Sequence, residues 1–338
     1  MTFEEVRKLA ADRLGDKCKA CPVCNGKACR DVIPGPGAKG DIAVRNYEAW
    51  QNIRVNMDTI CESGDPDLSC TLFGKKLAAP ILAGPVGAVK LHYGELLDDA
   101  GYNDLLVRGC REAGICAMTG DGTNPAVMEA AAAGIRAAEG TGIPTVKPWD
   151  AVTLQEKFRL VEESGAFAAA MDIDAAGLPF LKGLNPPAGS KTVAELSEIV
   201  KLANRPLILK GIMTVKGALK AKEAGAAGIV VSNHGGRVLA GTPATADVLP
   251  EIVAALKGSG MKILVDGGLR SGNDIFKALA LGADAVILAR PYVTAVYGGG
   301  TEGVIALTKK LMSELEDTMR MCGAHTIAEI TRDMVRLP

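Results

Sequence analysis

Aromatic residues make up only 4% of the 338-residue chain, and histidine occurs three times. So little aromatic surface excludes a core of stacked rings. With 48% hydrophobic residues, the interior must be filled by Ala, Val, Ile and Leu, as helices packed on parallel strands require. An excess of either charge is also missing: the formal net charge of -1 argues against an electrostatic nucleic-acid binder. No apolar run reaches the ~18 residues of a membrane span. The N-terminal MTFEEVRKLAADRL is a charged amphipathic helix rather than a secretion signal, so a cytoplasmic protein is expected. The nine cysteines are odd in number, and several, such as Cys110 and Cys116, are expected in apolar surroundings, which argues against a secreted disulfide framework.

Four of those cysteines gather in Cys18-Lys-Ala-Cys21-Pro-Val-Cys24-Asn-Gly-Lys-Ala-Cys29. Four thiolates at such short spacing can surround Zn²⁺ or an iron–sulfur cluster. The spacing matches neither a two-knuckle zinc ribbon nor the bacterial ferredoxin run, and reduced thiols in a loop or a chance disulfide are the plainer alternative. Residues 32–40, VIPGPGAKG, are turn chemistry throughout and read as a loop able to lie over a ligand. Residues 44–60 return to a helical pattern, and 72–80 read as a short hairpin.

Eight apolar runs follow, at 81–86, 115–119, 145–147, 168–173, 207–209, 228–232, 263–265 and 285–288. The third is weak, carried by Val146 between two prolines. Between the runs, 153–164, 193–202, 214–224, 246–256 and 272–281 show apolar spacing near 3.6. Residues 302–322 read as a long closing helix. Eight strands alternating with helices predict an α/β chain closed into a (β/α)8 barrel, the TIM-barrel architecture, with a helical, Cys-rich extension before it. The division expected is an extension over residues 1–78 and a barrel over 79–338.

The polar residues of the last five strands fall at one end. Asp172 and Asp174, Lys210, Asn233 and His234, Asp266 and Arg270, and Arg290 all lie at or just past C-terminal strand ends. In a barrel those ends form one face, where active sites are built. The sixth run ends in GIVVSNHGGR, which sets His234 three residues from Arg237, a proton acceptor beside an anion clamp. Asp266-Gly-Gly-Leu-Arg270 after the seventh run and Arg290 after the eighth predict a phosphate site. Gly267 and Gly268 are expected to let backbone N–H groups approach an anion at the start of the next helix.

LILKG, GIVVSNHGGR and ILVDGGLRSGNDIFKALALGADAVILARP, in that order and spacing, resemble the FMN-dependent α-hydroxy acid oxidases and dehydrogenases. A weaker likeness runs from about Tyr47 to the C-terminus. The resemblance implies FMN as cofactor, a 2-hydroxy acid as substrate and a homo-oligomer, often a tetramer. It implies His234 as active-site base, Arg237 as carboxylate clamp, Asp174 as the partner orienting the histidine, and Lys210 near flavin N1 and O2. Pro85, Val86, Gly87, Ser232, Asp266, Gly267, Gly268, Arg270 and Arg290 fall at its FMN contacts.

The chain departs from that pattern where substrates are held. Ile33 stands near the place of a usual tyrosine, and Thr145-Val-Lys147-Pro-Trp149 replaces a Gln-x-Tyr pattern. A second arginine after the fourth strand is missing, with Lys182 the nearest cation, and the loop at 175–192 is short. The reaction core is kept while the substrate shell is rebuilt. Two alternatives follow: another FMN-dependent barrel reaction, a reductase or isomerase, or an electron-transfer module centred on the Cys18–Cys29 run.

Overall fold

The computed structural model describes residues 1–17, 20–26, 41–178, 181, 183 and 188–338. Cys18, Cys29, Ile33, the rest of the expected loop at 32–40, and Lys182 lie outside the described residues.

Helix α1 (Phe3–Leu14) is closed at its start by a capping box, Thr2 accepting from Glu5 N and Glu5 reaching back. It buries Val6, Ala10 and Leu14. Helix α2 spans Asp41–Asn52, then β1 (Arg54–Val55) pairs antiparallel with β12 (Val335–Arg336) at the C-terminus. The helical pattern read over 44–60 therefore stops early, because Arg54 and Val55 are drawn into this pairing. The hairpin is present as β2 (Cys70–Leu72) and β3 (Lys75–Leu77).

The eight central strands are β4 (Ile81–Ala83), β5 (Cys116–Thr119), β6 (Gly142–Val146), β7 (Ala169–Asp172), β8 (Leu207–Ile212), β9 (Gly228–Val231), β10 (Lys262–Asp266) and β11 (Ala285–Leu288). All neighbouring pairs are parallel, and β11 pairs with β4 to close the barrel. Around it lie α3 (Val89–Tyr93), α4 (Asp99–Glu112), α5 (Pro125–Ala137), α6 (Ala151–Glu163), α7 (Val193–Ala203), α8 (Val215–Glu223), α9 (Thr245–Leu256), α10 (Gly272–Ala280) and α11 (Arg290–Met321). The closing helix thus begins twelve residues before the predicted Glu302, interrupted by non-helical dihedrals at Gly300.

Strand periodicity positions the chemistry. Residues i and i+2 share a face, and Leu82, Met118, Ile143, Ala170, Ile208, Val230, Leu264 and Ile287 fill the barrel interior together with Leu72 and Leu77 of the hairpin. Two residues further along, the same inward face carries Gly84, Gly120, Thr145, Asp172, Lys210, Ser232, Asp266 and Ala289. An apolar plug is therefore capped, one layer up, by small and polar side chains at the C-terminal mouth.

Candidate active site

That polar layer floors a cleft open to solvent at the C-terminal mouth. Of the residues singled out from sequence, Pro85, Val86, Gly87, Lys210, His234, Arg237, Asp266, Gly267, Arg270 and Arg290 line it. Asp174, Ser232 and Gly268 stand behind the lining and act through neighbours.

His234 has a left-handed backbone, φ 56°, at the turn that follows β9. Its N–H donates to Ser232 Oγ at 3.1 Å, and its Nδ1 lies 3.0 Å from Asp174 Oδ1. Asp174 fits there because β8 bulges after Lys210 at Gly211. A Cβ on Gly211 would stand 2.4 Å from Asp174 Cγ, so any other residue would displace the carboxylate. Asp174 Oδ2 is buried without a partner among the described residues.

Asp172 pairs in register with Lys210 across β7 and β8, and its Oδ1 accepts from Lys210 Nζ at 3.1 Å. Burial alone would push the Asp172 carboxyl up, but Lys210, His234 and Lys147 outweigh it and hold it far below the usual carboxylate range. Burial likewise opposes the charge on Lys210, and Asp172, Asp174 and Asp266 reverse this and raise its pKa. Asp266, 3.8 Å from Lys210, is pushed up by burial, with Lys210 acting against the shift.

Arg237 is half-buried and has no acidic partner within 4.0 Å among the described residues; its Nη2 lies 3.3 Å from His92 Nε2, and its Nε is buried without a partner. Burial lowers its pKa. A guanidinium held this way is a ready receptor for an anion. His92 and Tyr93, on the short helix α3, line the same wall. Neither was singled out from sequence: α3 carries no motif, and only the fold brings His92 to a residue 145 positions away.

The glycine pair does not face open space on its α-carbon side. Gly267 and Gly268 have φ near 90°, and a Cβ there would meet Asn46 Nδ2 at 2.8 Å and Asn46 O at 2.3 Å respectively. The space they leave is taken by α2, whose Trp50 Nε1 donates to Gly267 O at 2.8 Å. Asn46 also exchanges amide hydrogen bonds with Asn233, at 2.8 and 2.9 Å. Nor is the start of α10 open to an anion: Ser271 accepts from Asp274 N, Asp274 accepts from Arg270 N and Ser271 N, and Glu314 accepts from Gly272 N. The helix start facing the cleft is that of α11, where Ala289, Arg290 and Pro291 line the wall.

The family model for FMN-dependent dehydrogenase matches residues 27–181 and 182–337. The chain belongs to the FMN-dependent dehydrogenase family. It is similar to 4-hydroxymandelate oxidase of Amycolatopsis orientalis, 32% identical over 90% of this chain and 95% of that one. It is also similar to L-lactate oxidase of Lacticaseibacillus rhamnosus, 32% identical over 86% of this chain and 85% of the relative. Among solved structures, mandelate oxidase superposes with a TM-score of 0.80 at 28% identity, covering 99% of this chain and 97% of that one.

As an FMN-dependent dehydrogenase the chain must seat a phosphorylated flavin, and the cleft fits one. Thr145 Oγ1 and Asp266 Oδ1 are buried polar atoms with no partner among the described residues, and both residues line the wall. Arg270, Arg290 and the start of α11 line the end that would hold the phosphate, and Lys210 would supply charge for the ring. Replacing Arg290 by alanine removes a charge-assisted contact worth about 1.5–3 kcal/mol. FMN affinity should fall roughly tenfold to a hundredfold, read by flavin fluorescence on titrating the apoprotein. Unchanged affinity would remove Arg290 from the phosphate site.

The expectation of Zn²⁺ or an iron–sulfur centre finds no support in the family or its relatives. Cys21 is half-buried and Cys24 buried. Among the described residues, the one cluster with metal-ligating geometry is Asp172, Asp174 and His234, and Lys210 and Lys147 already neutralise it. No helix among the described residues is long and apolar enough to cross a membrane.

Proposed function

We infer that the protein oxidises a small 2-hydroxy acid to the 2-oxo acid, with bound FMN as electron acceptor. The observation that carries this reading is the pairing of His234 with Asp174 behind it, together with Arg237, which has no acidic partner within 4.0 Å among the described residues, His234 and Arg237 lining one cleft. Arg237 binds the substrate carboxylate through its guanidinium fork. With Asp174 accepting from Nδ1–H, His234 Nε2 carries the lone pair and acts as base. Oxidation withdraws two electrons and two protons from the substrate: His234 takes one proton, the two electrons and the other proton would pass to bound FMN, and Asp174 stabilises the imidazolium formed. FMN, when bound, supplies the two-electron sink. Serine 232, by fixing the His234 backbone, keeps the imidazole in place.

The substrate shell supports an acid other than glycolate or L-lactate. Trp149, in the segment that replaces the Gln-x-Tyr pattern, is 2% exposed and donates to Asp121 rather than to the cleft. Lys147 of the same segment brings a cation to the cleft wall. In this reading residues 1–78 and 79–338 work as one unit, because α2 packs on the loop after β10. A cytoplasmic homo-oligomer belongs to the same proposal, and light scattering on the purified protein tests the assembly. The thiols Cys18, Cys21, Cys24 and Cys29 take no step in it, and elemental analysis for zinc and iron decides whether they hold a metal.

Replacing Arg237 by lysine keeps the charge but loses the fork. Substrate binding should weaken about tenfold or more while FMN binding is unaffected, as measured by the substrate dependence of anaerobic flavin bleaching. Substrate saturation unchanged from wild type would show that the carboxylate is held elsewhere.

A further inference from the structure

Asp172 joins two lysines rather than one. Its Oδ1 accepts from Lys210 Nζ at 3.1 Å, and its Oδ2 lies 3.6 Å from Nζ of Lys147, just past the end of β6. The three side chains are 9%, 9% and 4% exposed for Lys147, Asp172 and Lys210. Two buried ammonium groups thus share Asp172, and Lys147 has no other carboxylate within 4.0 Å among the described residues, whereas Lys210 also feels Asp174 and Asp266, the latter at 3.8 Å. A buried cation with one shared counter-ion gains from a further negative group, so the Lys147 side of this wall is suited to a group that is, or becomes, negative.

Strand order says which part of the cofactor meets it. In the closed order β10-β11-β4-β5-β6-β7-β8-β9, β6 and β7 lie directly across the barrel from β10 and β11, whose loops carry Arg270 and Arg290. A flavin with its phosphate at that rim presents its ring to the Lys147–Asp172 side. Lys147 is also fixed: its backbone N donates to Asp121 Oδ2 at 3.2 Å.

We propose that Lys147 is a second cation at the flavin ring, paired with Lys210 across Asp172, and that this pair favours the two-electron-reduced, anionic ring. The proposal rests on the FMN reading above. Two electrons and one proton enter the ring from the substrate, leaving one negative charge where the oxidised ring had none. A nearby cation therefore binds the reduced form more tightly than the oxidised one.

The test uses FMN-loaded protein without substrate. In Lys147→Gln, the preference for reduced over oxidised FMN should fall about tenfold, a potential lower by ~30 mV for a two-electron couple. Sulfite, whose addition also makes the ring anionic, should bind about tenfold more weakly by loss of flavin absorbance. Lys147→Arg should restore most of both. Asp172→Asn, which leaves two lysines without their carboxylate, should shift potential and sulfite affinity the opposite way, a pattern that general loosening of the fold does not produce. Unchanged potential in Lys147→Gln, or shifts of the same sign in the Gln and Asn variants, would overturn the proposal. If Lys147→Gln fails to hold FMN, Asp172→Asn decides alone: a raised potential supports the proposal, and an unchanged or lowered one overturns it. Because neither readout involves a hydroxy acid, either result leaves the substrate reading to its own test.

Discussion

Replacing His234 by glutamine should slow substrate oxidation by about 10²–10⁴-fold, the usual loss on removing a general base, while FMN remains bound. The separation follows from the fold. His234 follows β9, while Arg270 and Arg290, which would hold the phosphate end of the cofactor, lie after β10 and at the start of α11. Glutamine keeps a hydrogen-bonding group near Asp174 Oδ1, now 3.0 Å from His234 Nδ1, so the loop keeps its anchor. It cannot take up a proton. Anaerobic stopped-flow with the true substrate measures the rate, and flavin content measures binding. Near wild-type reduction in this variant would mean that another group accepts the proton, and that the reaction differs from hydroxy-acid oxidation as drawn here.

The largest effect on stability is expected at Asp121, a buried carboxylate just past β5. It accepts four hydrogen bonds, from Lys157 Nζ and Gly122 N on Oδ1, both at 2.8 Å, and from Trp149 Nε1 at 2.6 Å and Lys147 N at 3.2 Å on Oδ2. The side chains of Lys157 and Asp121 are 9% and 0% exposed. Asp121→Ala leaves the Lys157 ammonium buried without a partner, a defect that typically costs about 3–5 kcal/mol. Adding Lys157→Met should recover part of that loss, because it removes the stranded charge. Denaturant unfolding of the FMN-loaded protein measures both. A loss below about 1 kcal/mol in the single variant would show that the pair is solvated and that Asp121 does not tie the ends of β5 and β6 together.

How much of this was legible in the chain depends on whether the cause was local. The barrel was legible because its strands are short apolar runs that end in polar residues, a pattern set by burial on both faces. The third strand was read as starting three residues late and ending one late: β6 spans Gly142–Val146, and Pro144 within it masks the strand signal. The start of α11 was missed because Gly298, Gly299 and Gly300 interrupt its pattern. That His234, Arg237, Lys210, Arg270 and Arg290 share one cleft was legible because strand ends converge on one face in this architecture. His92 and the role of Asp121 were not legible, since each acts on residues brought close only by folding. Nor was it legible that Gly267 and Gly268 pack their α-carbons against Asn46 of α2, a partner more than 200 residues away in sequence.

Anaerobic mixing of the FMN-loaded protein with a broad panel of 2-hydroxy acids tests the account most directly. The account predicts that at least one acid bleaches the oxidised flavin and yields one equivalent of its 2-oxo acid per flavin reduced, and that Arg237→Lys raises the concentration of acid required. A fully loaded, folded protein whose flavin stays oxidised across the whole panel would contradict it.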